Sequence, residues 1–239
     1  MLIQLTDLPI VASLFAGAVI SFLARKLTLT ASLTGFLCGV MIYLGAGYTG
    51  IICLAVFFIT GTLATAWGRR KKQYLEERGD DARRKYGQVL ANAGAATFFA
   101  LLILLFPSYS VVLTLLLAAS LSSATSDTLS SELGMLYGKR FYNCISWKKE
   151  ASGLDGVVSA EGTLAGLFGA SLIALVYAVG IQFSVTFLVI ITAGMAGNFT
   201  DSILGATVER RKLLNNDAVN FFSTLISAGI AGLFYLLII

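Results

Sequence analysis

The chain has 239 residues, 57% of them hydrophobic and 13% charged, with a formal net charge of +4. A soluble domain carries roughly 25% charged residues, so this composition excludes an ordinary water-soluble globule and leaves the bilayer as solvent for most of the chain. Histidine is absent, which excludes histidine metal sites, histidine general bases and Ser-His triads; any bound metal must be held by oxygen.

Taken in order, the N-terminal MLIQLTDLPIV lacks the basic region of a cleaved signal peptide, so the first apolar stretch reads as a retained span. Eight apolar segments are long enough to cross, or nearly cross, a hydrocarbon core of ~30 Å. They cover 8–24, 30–47, 49–67, 89–106, 109–126, 162–180, 183–204 and 218–239. The fifth and seventh have polar C-terminal ends, which predicts that each stops short of the far side or breaks. The fold class expected is therefore all-α, a polytopic transmembrane bundle of about eight spans forming a single domain over 1–239.

The cations support that count. Arg25 and Lys26 lie between the first two segments. Eight more, including Arg69, Arg70, Lys71, Lys72, Arg83 and Arg84, lie between the third and fourth. Lys139, Arg140, Lys148 and Lys149 lie between the fifth and sixth, and Arg210, Arg211 and Lys212 between the seventh and eighth. All 17 Lys and Arg residues thus fall in alternate connections, while GAGY, PSYS and GIQF carry none. By the positive-inside rule, the loops 68–88, 127–161 and 209–217 are cytosolic and both termini lie outside. A basic surface beside a membrane suits anionic headgroups or phosphates, not nucleic acid. The run Arg69 to Lys72 reads first as a topology anchor and headgroup contact. Loop 68–88 reads as a short surface helix or helical hairpin, its Glu76, Glu77, Asp80 and Asp81 paired with its own cations.

Packing and thiol signals are plainer. The pairs Gly35/Gly39, Gly134/Gly138 and Gly162/Gly166 have the small-xxx-small spacing that lets membrane helices approach. Cys38, Cys53 and Cys144 follow no disulfide or metal spacing.

Seven further carboxylates gather at the cytosolic segment ends, Asp127 and Glu132, Asp155 and Glu161, Asp201 and Glu209, and Asp217, while Asp7 alone lies on the other side. A carboxylate at membrane depth costs of order 2.5–3.5 kcal/mol even on insertion scales, so such groups are functional candidates. Helical spacing groups them with other oxygen donors. Asp127 with Ser130 and Ser131, and Asn198 with Asp201 and Ser202, repeat the i, i+3, i+4 pattern; Asn216, Asp217 and Asn220 give a third polar face. Three oxygen-rich faces at one interface, without histidine, suit Mg2+ holding a phosphate-bearing ligand. The competing explanation for each hydroxyl or acid is a helix cap or an interhelical polar clamp. TSDTLSSELG and FTDSILGATVE also resemble each other, as an internal duplication would leave them. No P-loop pattern occurs, and GTLAGLFGA follows no strand, so it is not a dinucleotide fingerprint.

FFITGTLATAWGRRKKQ, GQVLANAG, SDTLSSELG, DGVVSAEGTLAGLFGA, GNFTDSILGATVE and NNDAVNFFSTL occur in that order. Over residues 30–235 the set resembles the integral-membrane phytyl-phosphate (prenyl-phosphate) kinase family, related to the phytol and dolichol kinases. The resemblance implies phosphoryl transfer from CTP or another nucleoside triphosphate to a prenyl monophosphate. It puts Asp127, Ser131, Glu132, Asp155, Ser159, Glu161, Asp201, Ser202, Glu209, Asn216, Asp217 and Asn220 at the family's motif positions. The expected roles are catalytic for Asp127, Glu132, Glu161 and Asp201, with Asp127, Asp201 and Glu132 on Mg2+. Ser131, Asp155, Ser159, Asn198, Ser202, Glu209, Asn216, Asp217 and Asn220 are expected to bind nucleotide. The partners implied are a prenyl-phosphate lipid, the nucleotide and the bilayer. Two other readings fit the residues: a CTP-dependent lipid cytidylyltransferase, and a proton-coupled transporter of an anionic substrate using Asp127 or Asp201.

Overall fold

A computed structural model describes residues 5–68 and 83–238. The expectations for Arg69 to Lys72, for the acids of 76–81 and for a helix in that loop fall outside the described residues.

Among the described residues, seven helices are long and apolar enough to cross a membrane. Helix α1 is Leu8–Leu23, opened by Pro9 in its first turn, where a missing N–H costs nothing. It ends where Arg25 enters the left-handed region at φ 55°. Helix α2, Leu29–Ala66, starts on a Thr28 cap whose Oγ1 accepts the Ala31 N–H at 3.2 Å. Its 38 residues would span ~57 Å if straight, nearly twice the hydrocarbon core. They do not run straight. Gly47 sits at φ 60°, ψ −147°, which only glycine adopts cheaply. Beyond it the chain folds back: a Cβ on Gly39 would lie 3.7 Å from Ile51, and one on Gly50 3.0 Å from Ile42, pairs that a continuous helix would hold far apart. The single long helix is therefore two passes, and the chain makes the eight that the cations required.

Helix α3, Tyr86–Leu105, begins with the Lys85 N–H donating to Gln88 Oε1 at 2.9 Å. It stops at Phe106, before Pro107, because the residue preceding proline is pushed out of the helical region. Helix α4, Ser110–Tyr137, is the centre of the bundle and packs against α2, α3 and the three helices that follow it. Ala118, Ala119, Ser120, Ser122, Ser123 and Ala124 are all essentially buried; small side chains let five neighbours close on one helix. Two of the three hydroxyls are met inside the protein, Ser120 donating to Leu117 O at 2.7 Å and Ser122 to Ile190 O at 3.2 Å, while Ser123 Oγ has no partner among the described residues.

A short hairpin follows, β1 Tyr142–Asn143 antiparallel to β2 Val157–Val158. Helix α5, Ala160–Gly180, is capped by Ser159, whose Oγ accepts the Gly162 N–H at 3.1 Å. Helix α6, Thr186–Leu204, continues into one π-helical turn, Gly205–Glu209. Helix α7 is Asn216–Ile238.

One segment end differs from the sequence reading and another bears it out. The fifth span does not end at 126: α4 runs unbroken to Tyr137, so Asp127 and Glu132 lie inside a helix and the connection once read as 127–161 shrinks to 138–159. Hydropathy mistook a polar but protein-covered helix for a helix end. The seventh does change geometry at its polar end, through the π turn. Of the glycine pairs, Gly134 on α4 and Gly162 on α5 face each other: a Cβ on Gly134 would lie 3.0 Å from the Gly162 Cα.

The two ends of the bundle differ in charge. At one, Asp7 accepts the Tyr43 hydroxyl at 2.9 Å and the short uncharged connections gather. At the other, the backbone of Arg84 pairs with the α1–α2 connection, donating to Lys26 O at 3.0 Å and accepting from Thr28 N at 3.1 Å. All the described lysines and arginines belong to this second end.

Candidate active site at the charged end

A cavity of about 690 Å³ opens at that end. Its inner wall is the last three turns of α4, contributing Asp127, Ser130, Ser131 and Glu132; α6 and its π turn add Asn198, Asp201, Ser202 and Glu209. The connection before α5 covers it with Ser152, Gly153, Leu154, Asp155, Gly156 and Ser159, and α7 contributes Asn216 and Asn220. Every residue expected from the sequence is there except two. Glu161 lies outside, its Oε2 accepting the Lys139 N–H at 3.4 Å, and Asp217 is turned toward Gly87. Both stand in the first turn of their helices, where an acid is stabilised by the helix dipole and needs no ligand. The cavity therefore does not bring Glu161 or Asp217 together with the other expected residues.

The carboxylates crowd. Glu209 and Glu132 are the like charges bearing on Asp127, and Asp127, Glu209 and Asp155 those bearing on Asp201. Asp201 Oδ2 accepts the Ser223 hydroxyl at 3.2 Å. Asp127 has no hydrogen-bond donor among the described residues. Glu132 is turned elsewhere: its Oε1 accepts Thr65 Oγ1 at 2.8 Å, and the Arg84 guanidinium, which donates to the same Thr65 oxygen at 3.3 Å, is its electrostatic partner. Burial lowers the Arg84 pKa while the Glu132 charge holds it up.

This arrangement tests the expected metal. The described residues contain no group of three acidic or thiol side chains set to hold an ion together, so the set Asp127, Asp201 and Glu132 is not assembled as one cage. A hard divalent ion still fits the donor chemistry. Mg2+ takes one or two carboxylates and completes its octahedron with water and phosphate oxygens, and Asp127 with Asp201 are two mutually repelling oxygen donors on facing helices.

Hydrogen bonds and close packing fix the cavity's frame. Asn198, buried at the inner end, donates from Nδ2 to Ser126 Oγ at 3.1 Å, and Gly166 leaves the space both occupy. Ser159 lines the cavity while capping α5, so its capping role is accounted for locally. The covering loop is fastened to the α6–α7 connection: Arg210 Nη2 meets Glu150 Oε2 at 2.6 Å and Nε donates to Asp155 O at 2.7 Å. That contact holds the Glu150 carboxyl below its usual range. Cys144 donates to Ser202 O at 3.3 Å; burial raises its thiol pKa.

Some walls were not anticipated. Thr65, Arg83, Arg84, Gln88 and Asn92 line the side formed by α2 and α3. Gln88 and Asn92 carried a signal, two carboxamides at i, i+4 in an otherwise apolar helix. Arg83 and Arg84 carried none beyond their charge.

The family described as "Integral membrane protein DUF92" matches residues 12–228. An uncharacterized membrane protein of Methanocaldococcus jannaschii is 34% identical over 205 residues, covering 85% of this chain and 82% of that one. One from Synechocystis is 34% identical over 202 residues, covering 81% and 76%. The chloroplast protein VTE6 of Arabidopsis thaliana is 32% identical over 195 residues, covering 77% of this chain and 58% of its own length. No solved structure matches. The chain belongs to the integral membrane protein family DUF92.

Proposed function

We propose that this cavity is the active site of a membrane-embedded kinase that transfers a phosphoryl group from a nucleoside triphosphate to a prenyl monophosphate. The observation that carries the reading is the convergence of four separate motif strings on one charged cavity at the end of an apolar bundle. A hydrophilic triphosphate and a lipid's headgroup meet at such a place, and nowhere else in the chain do the described acids assemble.

Phosphoryl transfer asks for positioning and charge neutralisation more than for covalent catalysis. An oxygen of the acceptor phosphate forms a bond to the γ-phosphorus of the donor. The bond from that phosphorus to its β–γ bridging oxygen breaks, and the nucleoside diphosphate departs with the electron pair. The acceptor is already ionised, so no general base is required and the absence of histidine is no obstacle. Mg2+, bound through Asp127 and Asp201, would supply the positive charge that draws the donor's phosphates together. Asn198, through Ser126, holds the inner end of the cavity rigid. The loop 152–156, fastened by Arg210, covers the site and limits water that would hydrolyse the donor. CTP and other nucleoside triphosphates are the donors to compare. The charged end faces the cytosol in this reading, because the cations gather there.

The test is direct. Purified protein in nanodiscs is incubated with phytyl or geranylgeranyl phosphate, Mg2+ and each labelled nucleoside triphosphate. A prenyl diphosphate is expected. No diphosphate with any nucleotide overturns the reading, and a CDP-linked lipid with released pyrophosphate would replace it by the cytidylyltransferase. Single-cysteine variants at Tyr109 and Arg211, labelled from each side of the membrane, check sidedness: Arg211→Cys should be reached from the cytosol and Tyr109→Cys from outside.

A further inference from the structure

The cavity's two sides carry opposite charge. Acids dominate the interior side, on α4 and α6. The peripheral side, between the end of α2 and the start of α3, presents Arg83 and Arg84, the only cations lining the cavity among the described residues. We propose that Arg84 receives the phosphate of the lipid acceptor, which enters from the membrane between α2 and α3. The proposal rests on the kinase reading for the word acceptor, but its physical content, a phosphate site at Arg84, does not.

Three observations converge on this residue. Arg84 is preorganised: its backbone is held on both sides by Lys26 O and Thr28 N. Its guanidinium lies against Gly61, where a Cβ would come within 3.3 Å of Nη2. It is also under-used. A guanidinium has five N–H donors, and the bond to Thr65 Oγ1 at 3.3 Å is the one side-chain hydrogen bond it makes among the described residues. A planar fork with spare donors in a half-closed cavity is what bidentate phosphate binding requires. Finally, it stands at the lipid side. Tyr86 and Leu90, in the first turns of α3 just after Arg84, are exposed on the outer surface, whereas α4 is the most enclosed of the spans. A prenyl chain lying in the bilayer reaches Arg84 before it reaches Asp127 or Asp201, and a dianion arriving without its own metal ion needs a cation there. Pairing with Glu132 alone would leave the spare donors unexplained.

Two measurements separate this site from the kinase reading. The first is thermal protection of the protein in nanodiscs by geranylgeranyl phosphate, with geranylgeraniol as the control and no nucleotide present. Wild type should be protected by the phosphate and not by the alcohol, and Arg84→Gln should lose the difference. The second is the split of kinetic constants. Arg84→Gln should raise the acceptor KM about ten- to hundredfold, the worth of hydrogen bonds to a charged group, and leave the nucleotide KM near wild type. Arg84→Lys keeps the charge opposite Glu132 and loses only the fork; it should fall between the two and carries the test if Arg84→Gln does not fold. Protection and acceptor KM unchanged in Arg84→Lys, or a nucleotide KM raised in place of the acceptor's, would overturn the proposal while leaving the kinase intact. Phosphate-dependent protection that needs Arg84, in a protein that makes no diphosphate, would keep the site and discard the kinase.

Discussion

SDTLSSELG on α4 and TDSILGATVE on α6 are similar strings that the fold treats differently. Around Asp127 the helix stays regular for ten further residues to Tyr137; after Asp201 it loosens within four residues into a π turn and ends at Glu209. The neighbours decide this. Beyond Asp127, α4 is gripped by α5 through Gly134 and Gly162, closer than any side chain would allow. Beyond Asp201, the loop at Gly156 presses against Ser202 O and Ala206, and a widened turn accommodates it. The aspartates differ too, since Asp201 has the Ser223 hydroxyl and Asp127 has no donor among the described residues. Like strings therefore supply like chemistry on unlike supports, one rigid and one held by a loop.

The most severe way to break the comparison is to remove each charge. Asp127→Asn and Asp201→Asn should each lower turnover by ~10² or more, the loss of metal-linked charge stabilisation in the transition state. The double variant should be little worse than either single one, because two groups serving one ion act as a unit. Turnover titrated against Mg2+ measures this, and near-normal activity in either variant removes that aspartate from the site.

The supports should separate next. Gly156 has φ +71° and a Cβ there would collide with Ala206. Gly156→Ala should cost about 1–3 kcal/mol through strain and overpacking, read as a lower Tm, and should impair activity by lifting the loop off the α6 turn. A Tm equal to wild type would show that the loop does not bear on α6 as described.

A finer distinction is Ser223→Ala. It removes the one side-chain donor to Asp201 among the described residues and leaves Asp127 in place. The loss should be about 0.5–1.5 kcal/mol, seen as a several-fold change in the Mg2+ requirement, against ~10²-fold for the aspartates themselves. An effect as large as that of Asp201→Asn would move Ser223 into the reacting site.

The smallest effect concerns the latch. Arg210 holds the Glu150 carboxyl below its usual range, and a depressed folded-state value adds stability above the unfolded pKa that is lost as pH falls through the folded one. Wild type and Glu150→Gln should differ slightly in Tm at neutral pH and converge below about pH 4, beneath the ordinary glutamate value. Curves that stay parallel to the acid limit would remove the ion pair from the stability of the loop.

Much of this was legible in the residues. The spans and their number follow from apolar length and from cations confined to alternate connections, and both are properties of residues taken one at a time. So is the candidacy of Asp127 and Asp201, since an acid at membrane depth is costly wherever its helix packs. Gly47 closed the one ambiguity by splitting a 38-residue helix into two passes. The extent of α4 was not legible, because SATSDTLSSEL has the hydropathy of a helix end and stays helical only under the cover of its neighbours.

Nor was the membership of the site fully legible. Glu161 and Asp217 have the same composition signals as Glu209, yet they point away, and Arg84 looks like any juxtamembrane cation until its backbone is seen pinned to the α1–α2 connection. Sequence determined that this chain is an eight-pass membrane bundle with its charge at one end, because the energy of residue transfer into lipid fixes that much. Which of those charges share a cavity was left to the tertiary structure. It depends on how far each helix is rotated and how closely it approaches, and contacts such as Gly166 against Ser126 and Asn198 set both.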